Sequence, residues 1–453
     1  MRPGRTIQRR QLVYEENLAE RAPDAQRVPC VNLHFDSEVM SSGSTDSLRT
    51  DHETASHFTP IARYESVMRS RLITRPEEFA ALRSDWNRLW RQSRDRSIFL
   101  TQDWFDAAWQ WKCREEELYI LCCERDGVLV GVLPLTRKRK ARNGRARRSL
   151  EFLTVPDTQR CDALIANDAP DVAEALAGEL VRRRREWDVI RLRYLATDST
   201  CLTTLLSALR ENCLTCATTE SARNPWIDLE GGWGHFYSTR SRRLKKALNL
   251  AANRLAKLGT VEIDWLAPQT GTQLDVENAV AVLTGISLRS WKSGTGNSLD
   301  NSGPQAFIHR LAHRAHERGS LSIWTLKING APVAMEFQLV DEGNVFALRS
   351  DFDAAFGEAS PGSHLSKQML EQIFAFQFSR YYMGPGENAY KYRWTELSDP
   401  VHTVSVYAPT MRGGSLAAWE IALKPVARSW AQRFQHPSGQ VVTADDNSND
   451  GKV

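Results

Sequence analysis

Two stretches of this chain, LYILCCERDGVLVGVLPLT at 118–136 and LSIWTLKINGAPVAMEFQL at 321–339, lie over one another without a gap. Each reads as an apolar strand, a turn at Asp126-Gly127 or Asn329-Gly330, and a second apolar strand. Asp-Gly and Asn-Gly supply the positive φ angles of the turns whose twist matches the flanking strands, so each stretch predicts a tight β-hairpin. The order of elements then repeats. SLEFLTV, a loop, Ala169-Pro170, a helical run with Val172, Leu176 and Leu180, and the strand WDVIRLRYL follow the first hairpin. NVFALRSDFD, a loop, Ser360-Pro361, a helical run with Leu365, Met369, Ile373 and Phe374, and the strand RYYMG follow the second. Proline suits the first helical position because its missing N–H has no partner there in any case. The repeat predicts an α/β (α+β) chain: two similar domains in tandem, with mixed, mostly antiparallel sheets flanked by helices.

At 453 residues the chain exceeds one ordinary core. Residues 1–70 mix charge with Ser, Thr and Asp and read as a disordered leader. Residues 71–225 and 259–412 carry the two repeats, and 413–453 holds a helix over 415–434, interrupted at Pro425, and a polar tail. Between the repeats, 226–258 contains TRSRRLKKALNLAANRLAKLG, a basic amphipathic connector. On a helix, Leu244, Ala247, Leu248, Ala251, Leu255 and Leu258 form one stripe, with Arg243, Lys245, Lys246, Arg254 and Lys257 away from it.

Lys plus Arg exceeds Asp plus Glu by only four, which excludes a general nucleic-acid coat and gives no reason to expect a DNA partner; any basic function is local. No run of eighteen apolar residues predicts a span, and the N-terminus lacks the apolar stretch of a secretory signal, so the expected compartment is the cytoplasm. The eight cysteines include the adjacent Cys122 and Cys123 and one C-x-x-C, Cys213 to Cys216. Neither pattern makes a disulfide framework or a zinc set, so reduced thiols and no metal are expected.

The two helix starts differ in charge. Ser360-Pro361-Gly362-Ser363 offers an N-cap serine, a proline at N1 and then a residue without a side chain, leaving backbone N–H groups and the positive helix end open to a phosphate. His364, in the first turn, reads as a surface or capping residue. At the corresponding point of the first repeat, Asn167-Asp168-Ala169-Pro170-Asp171 sets two carboxylates that repel an anion. If only one repeat holds a phosphorylated cofactor, it is therefore the second.

The S-P-G start is followed by Gly386, Tyr390, Lys391 and Trp394 in G-x-x-x-Y-K-x-x-W. With FLTQDWFDAAWQWK near 99–112, the VGVLPL hairpin, the basic helix and Trp291, this resembles the GNAT-type acyltransferases grouped with the cellulose-biosynthesis protein CelD, over roughly residues 75–405. The resemblance implies two GNAT-like domains, akin to the Fem-type aminoacyl transferases, with the first domain's cofactor site degenerate and acyl-CoA (acetyl-CoA) as co-substrate in the second. The usual multi-glycine phosphate loop is reduced here to Ser360-Pro361-Gly362. The implied acceptor is a small molecule or glycan: an amine or hydroxyl of a sugar, polysaccharide or envelope precursor, with peripheral association with envelope-biosynthesis machinery. Under the Fem-like alternative the donor is charged tRNA, with the basic helix facing RNA; a catalytically silent ligand-binding protein is the third reading.

In such a fold the acyl thioester lies between two central strands that part, and RYYMG forms one wall. GPGENAYKYRWTE then leaves the cleft. Gly384 and Gly386 permit close backbone approach. Lys391 and Arg393 are placed to hold an anionic acceptor or donor phosphate, and Tyr390 and Trp394 offer flat surfaces to a sugar or adenine. Transfer needs a proton acceptor and oxyanion donors. Backbone N–H groups near Arg349 to Asp351 suit the latter. Asp351, Glu336 and Glu387 all fall near the cleft edge and the residues alone do not choose among them; Asp351, Glu387 and Lys391 stand as the catalytic candidates.

Overall fold

The structure, a computed structural model, describes residues 67–138, 148–167, 169 and 171–424. Most of the expected leader, Asp168, Pro170 and the tail from 425 lie outside these residues. Both predicted hairpins form. β1 (Met68–Ile73) pairs with β2 (Glu116–Arg125), which turns into β3 (Val128–Lys138) with Arg125 opposite Val128. Asp126 and Gly127 have φ of 51° and 79°; Asn329 and Gly330, in the second hairpin, have 49° and 79°. These are the doubly positive values that the two dipeptides favour. β1 begins inside the segment read as leader, because Met68 to Ile73 has an open edge of β2 to pair with.

The chain continues through β4 (Ser149–Phe152), β5 (Leu164–Ile165), helix α2 (Asp171–Arg182) and β6 (Val189–Leu195), which lies parallel to β4; helix α1 (Gln102–Lys112) precedes the first hairpin. β7 (Thr215–Asp228) leads to the basic helix α3 (Arg242–Leu258), β8 (Val261–Leu266), α4 (Gln273–Leu288) and α5 (Ser302–Arg318). The second hairpin, β9 (Leu321–Ile328) and β10 (Ala331–Asp341), is followed by β11 (Asn344–Phe352), α6 (Pro361–Ile373) and β12 (Arg380–Tyr382), parallel to β11. β13 (Ser398–Tyr407) comes last. Hairpin, third strand, helix and parallel fourth strand therefore occur twice.

The strands form one hydrogen-bonded path, β1-β2-β3-β4-β6-β13-β7-β12-β11-β10-β9-β8, with β5 beside β3. It is a large mixed sheet flanked by helices. β13 is inserted between β6 and β7, so the last of the described strands completes the sheet begun by the first repeat. All described residues fall in one compact unit.

Strand alternation sends the second repeat's side chains to two cores. Ile323, Met335, Phe337 and Leu339 join the core that holds α4, α5 and the first repeat. Trp324, Leu326, Ala334 and Val345 face Leu244, Leu248 and Leu255 of α3 and Leu365, Met369 and Ile373 of α6. The apolar stripe of α3 is narrower than its sequence suggests: Leu244, Leu248, Ala251 and Leu255 are buried, while Ala247 and Leu258 are exposed. Spacing of four, three and four residues makes a seam one row wide.

Helix α1 owes its register to charge. Asp103 and Asp106, both buried, face three arginines spaced four apart on α5. Arg310 Nε lies 2.7 Å from Asp106 Oδ2 and Arg318 3.1 Å from Asp103 Oδ2; Arg314 lies 3.6 Å from Asp106, and Arg83 donates to Asp103 at 3.0 Å. Trp104 and Phe307 pack edge-on beside them. Removing one partner of a buried pair strands the other charge away from water. Asp106→Ala leaves Arg310 and the more buried Arg314 without their carboxylate and should destabilise the protein by about 2 kcal/mol, whereas Arg310→Ala leaves Asp106 its second partner Arg314 and should cost less; urea unfolding monitored by tryptophan fluorescence reads both.

Candidate functional site

The second repeat opens between its two parallel strands. β11 and β12 pair only over Asn344–Arg380, Val345–Tyr381 and Phe346–Tyr382, and β11 then runs on to Phe352 paired with β10 but not with β12. Opposite β10, Phe337 pairs with Arg349 and Gln338 with Ala347, so Leu348 is an extra residue, a β-bulge that bends β11 where β12 leaves it. Gly384 turns the chain away from β12 with φ of 81°. A Cβ at this position would meet the Ala347 carbonyl oxygen and Gln159 Nε2 at 3.7 Å and Lys391 Nζ at 3.9 Å. Three polar groups thus converge at the opening, at ordinary contact distance from that Cβ, so it is the positive φ that favours glycine here.

Lys391 is buried, 3% exposed, and its ammonium donates to the carbonyls of Gly384 at 2.6 Å and Pro385 at 3.3 Å. Burial lowers its pKa to about 8. The neighbouring Tyr390 is 49% exposed, and its phenol is pushed up to about 12 by desolvation and then by the charge of Glu336.

Glu336 is the ionisable group at the floor. It projects from β10 on the α6 side, is 4% exposed, and accepts hydrogen bonds from Tyr381 Oη and, at 2.8 Å, from Gln338 Nε2. Burial raises its pKa, with the two hydrogen bonds opposing; the Tyr381 hydroxyl is raised far more strongly by the same burial and by Glu336. A carboxyl held this way gives up its proton nearer neutrality than a solvated one, which suits a general base.

Across the sheet, Arg349 pairs with Asp157 at 2.6 Å, and Lys292 with Asp351 at 2.8 Å. Burial pushes the Asp157 carboxyl up, and the Arg349 guanidinium opposes it. Asp157 and Gln159 belong to the loop after β4, so the first repeat supplies part of the wall.

Helix α6 starts beside this opening. Pro361 is its first residue, and Ser360 occupies the N-cap position, but in the left-handed region (φ 55°, ψ 52°) and without a side-chain capping bond. The expected hydroxyl cap is absent because this backbone turns the side chain from the helix end; the Ser360 carbonyl instead accepts from the Ser363 and His364 N–H groups. The Gly362 N–H donates to no described group, and a Cβ on Gly362 would meet only the Phe352 ring, at 3.4 Å. Arg254 of α3 bonds the Glu358 carbonyl at 2.6 Å, in the turn that leads into α6. The start of α6 is thus open, flanked by a cation and fit for a phosphate. His364 is half-buried rather than a surface group: desolvation lowers its pKa, and its Nδ1 has no hydrogen-bond partner among the described residues.

The sequence candidates are dispersed. Tyr390 and Lys391 reach the opening. Asp351 faces the opposite side with Lys292, and Glu387 and Arg393 are exposed; no hydrogen bond or ion pair joins Asp351, Glu387 and Lys391 to one another among the described residues. Trp394, expected to offer its ring to a ligand, is buried in the core with Trp324 and Met369, because the short helical turn at Lys391–Arg393 points it inward. Lys391 ties the loop to itself instead of meeting solvent. Tyr381, Gln159, Asn224 and Asp157 escaped the sequence reading. Glu336 and Gln338 left a signal in MEFQL, where two polar residues alternate with apolar ones inside a buried strand.

Among the described residues no group of three or more His, Cys, Asp or Glu side chains is placed to hold a metal, Cys122, Cys123, Cys161, Cys201, Cys213 and Cys216 are free thiols, and no helix is long and apolar enough to cross a membrane.

Residues 242–392, the segment containing α3, the second hairpin, α6 and the opening, match the acetyltransferase (GNAT) domain family. Similar solved structures include FemX (10% identity, 78% of this chain and 99% of that one, TM-score 0.47). Another is a tandem GNAT protein from the clavulanic acid biosynthesis pathway (9%, 76% and 100%, 0.43). A third is the C-terminal DUF2156 domain of a putative lysylphosphatidylglycerol synthetase from Agrobacterium fabrum (12%, 75% and 95%, 0.45). No protein of curated function matches the sequence.

The raised pKa of Glu336 has a consequence for stability. The folded carboxyl holds its proton more tightly than the unfolded one, so ionisation disfavours the fold, and stability present at low pH is lost as pH rises through the folded pKa. Glu336→Gln keeps an acceptor for Tyr381 and cannot ionise. Its melting temperature should exceed that of the wild type at pH 8 and match it near pH 4, as measured by scanning calorimetry.

Proposed function

We propose that the protein is an acyltransferase that moves an acyl group, acetyl in the simplest case, from acyl-CoA to an amine or hydroxyl of a sugar, polysaccharide or cell-envelope precursor. The observation that carries this reading is the opening between β11 and β12 beside a helix start with an unengaged Gly362 N–H, inside the segment that matches the GNAT domain. Acyl-CoA supplies an activated thioester when bound. Gly362, Ser363 and the α6 dipole would hold its phosphates, with Arg254 alongside. Glu336 accepts the proton released by the acceptor, and Tyr381 orients its carboxyl. Lys391, whose ammonium has a third N–H beyond the two that brace Gly384 and Pro385, stabilises the oxyanion of the tetrahedral intermediate. The sugar or envelope acceptor, and peripheral association with envelope-biosynthesis machinery, rest on the family resemblance.

A second reading draws on α3. Arg242, Arg243, Lys246, Arg254 and Lys257 are exposed, and the helix carries no acidic residue. Such a face suits the backbone of a charged tRNA, as an aminoacyl transferase would require.

Calorimetric titration separates the donors. Acetyl-CoA should bind the wild type, and Gly362→Asp, which sets a carboxylate at the α6 start, should weaken it about tenfold, the effect of a like charge at a partly buried helix end. Equal affinity in a folded Gly362→Asp protein, with aminoacyl-tRNA binding instead, would move the assignment to the second reading.

A further inference from the structure

The carbonyl of Ala347 is the first on β11 to lose β12 as a neighbour, and it is already engaged. Gln159 Nε2, from the loop after β4, donates to it at 2.8 Å. Two residues earlier in the same loop, Asp157 grips Arg349 at 2.6 Å. Side chains 157 and 159 thus track positions 349 and 347 of β11 in antiparallel order, standing where a fourth strand would stand. Gln159 is 4% exposed, so its amide fills the gap and does not lie over its rim.

Behind Gln159 stands Asn224 of β7. Its Nδ2 donates to Gln159 Oε1 at 3.3 Å, whereas its own Oδ1 is buried without a hydrogen-bond partner, in a residue 7% exposed. A buried acceptor left unmade is costly. The Gln159 amide therefore stands between the Ala347 carbonyl, to which it donates, and the Asn224 amide, whose unpartnered Oδ1 shares a carbon with the Nδ2 that donates to Gln159.

We propose that Gln159 is a gate held by the first repeat in the second repeat's cleft: its amide keeps the Ala347 carbonyl occupied until an incoming ligand with an amide N–H takes that carbonyl, whereupon Gln159 turns to Asn224. This rests on the reading of the β11–β12 opening as the donor site, because the pantetheine arm of acyl-CoA carries amide groups of the required kind. Lys391 and Gly384, on the far side of the gap, stay in place. Turning to Asn224 gives up the Ala347 bond and the 3.3 Å bond from Asn224 Nδ2 for one bond to Asn224 Oδ1, so an incoming ligand displaces Gln159 at the cost of about one hydrogen bond. It also gives the first repeat a part in the second repeat's chemistry that needs no ligand of its own.

Acetyl-CoA titration of the full chain tests the gate. Gln159→Ala and the near-isosteric Gln159→Met remove the competing amide and should bind acetyl-CoA about five- to tenfold more tightly than the wild type, the worth of one net hydrogen bond. Gln159→Met retains the packing and carries the test if Gln159→Ala fails to fold. Wild-type binding with unchanged or weaker affinity in the folded variants would overturn the gate and leave the donor site standing. Failure of wild type and variants alike to bind acetyl-CoA would remove the donor site, and the gate with it.

Discussion

The pairing of β7 holds the architecture together. Its residues Thr215 to Pro225 pair with β13, and Trp226 to Asp228 pair with β12. One strand of fourteen residues is therefore the hydrogen-bonded hinge of the whole sheet. Because β13 is also the neighbour of β6, the first repeat's sheet is closed only when Ser398–Tyr407, beyond the second repeat's helix, has come back to it. Ladder hydrogen bonds are strong constraints in combination, since an unpaired inner edge would leave a row of polar groups without partners. The position of β12, and hence the opening beside it, follows from where β7 ends.

The ionic seam between α1 and α5 sets the same relation on the helical side of the sheet. Asp103 and Asp106 supply charge where the first repeat's helix meets a helix of the second, and Arg310, Arg314 and Arg318 answer at one-turn intervals. Together with Asp157–Arg349, these pairs fix the distance between the first repeat's loop and β11. That distance lets a glutamine of one repeat reach a carbonyl of the other.

The two repeats share a plan and differ in what occupies their openings. In the first, β4 and β6 also pair in parallel for three residues before parting, but Cys161 of the intervening loop bonds the Tyr194 carbonyl and fills that gap from within. Asp171, at the start of α2, is paired with Arg125. In the second repeat the corresponding helix start carries Gly362 and no acid, and the gap is bounded by Glu336, Tyr381 and Lys391. Divergence of the two halves is thus a matter of a few side chains on a common frame, and charge at the helix start is the clearest of them.

By itself the sequence determined the repeat, the two hairpins, the order of strand, helix and strand after each, the proline at the head of α6 and the contrast in charge between the helix starts. These are local matters: Asp-Gly and Asn-Gly turns, period-two strands and a four-three-four seam are each settled within a few residues of the chain. It also pointed to the neighbourhood of the opening, since GPGENAYKYRW does border it. Only the tertiary structure decided which side chains meet there. Trp394 turned inward and Asp351 went to the far face because strand and turn geometry send neighbouring residues to opposite sides. Glu336 gained its partner from β12, and Gln159 arrived from a loop 188 residues before Ala347, with no periodicity to announce it. Contacts between residues so far apart depend on sheet order, and sheet order here depends on where β13 inserts, which no local pattern encodes.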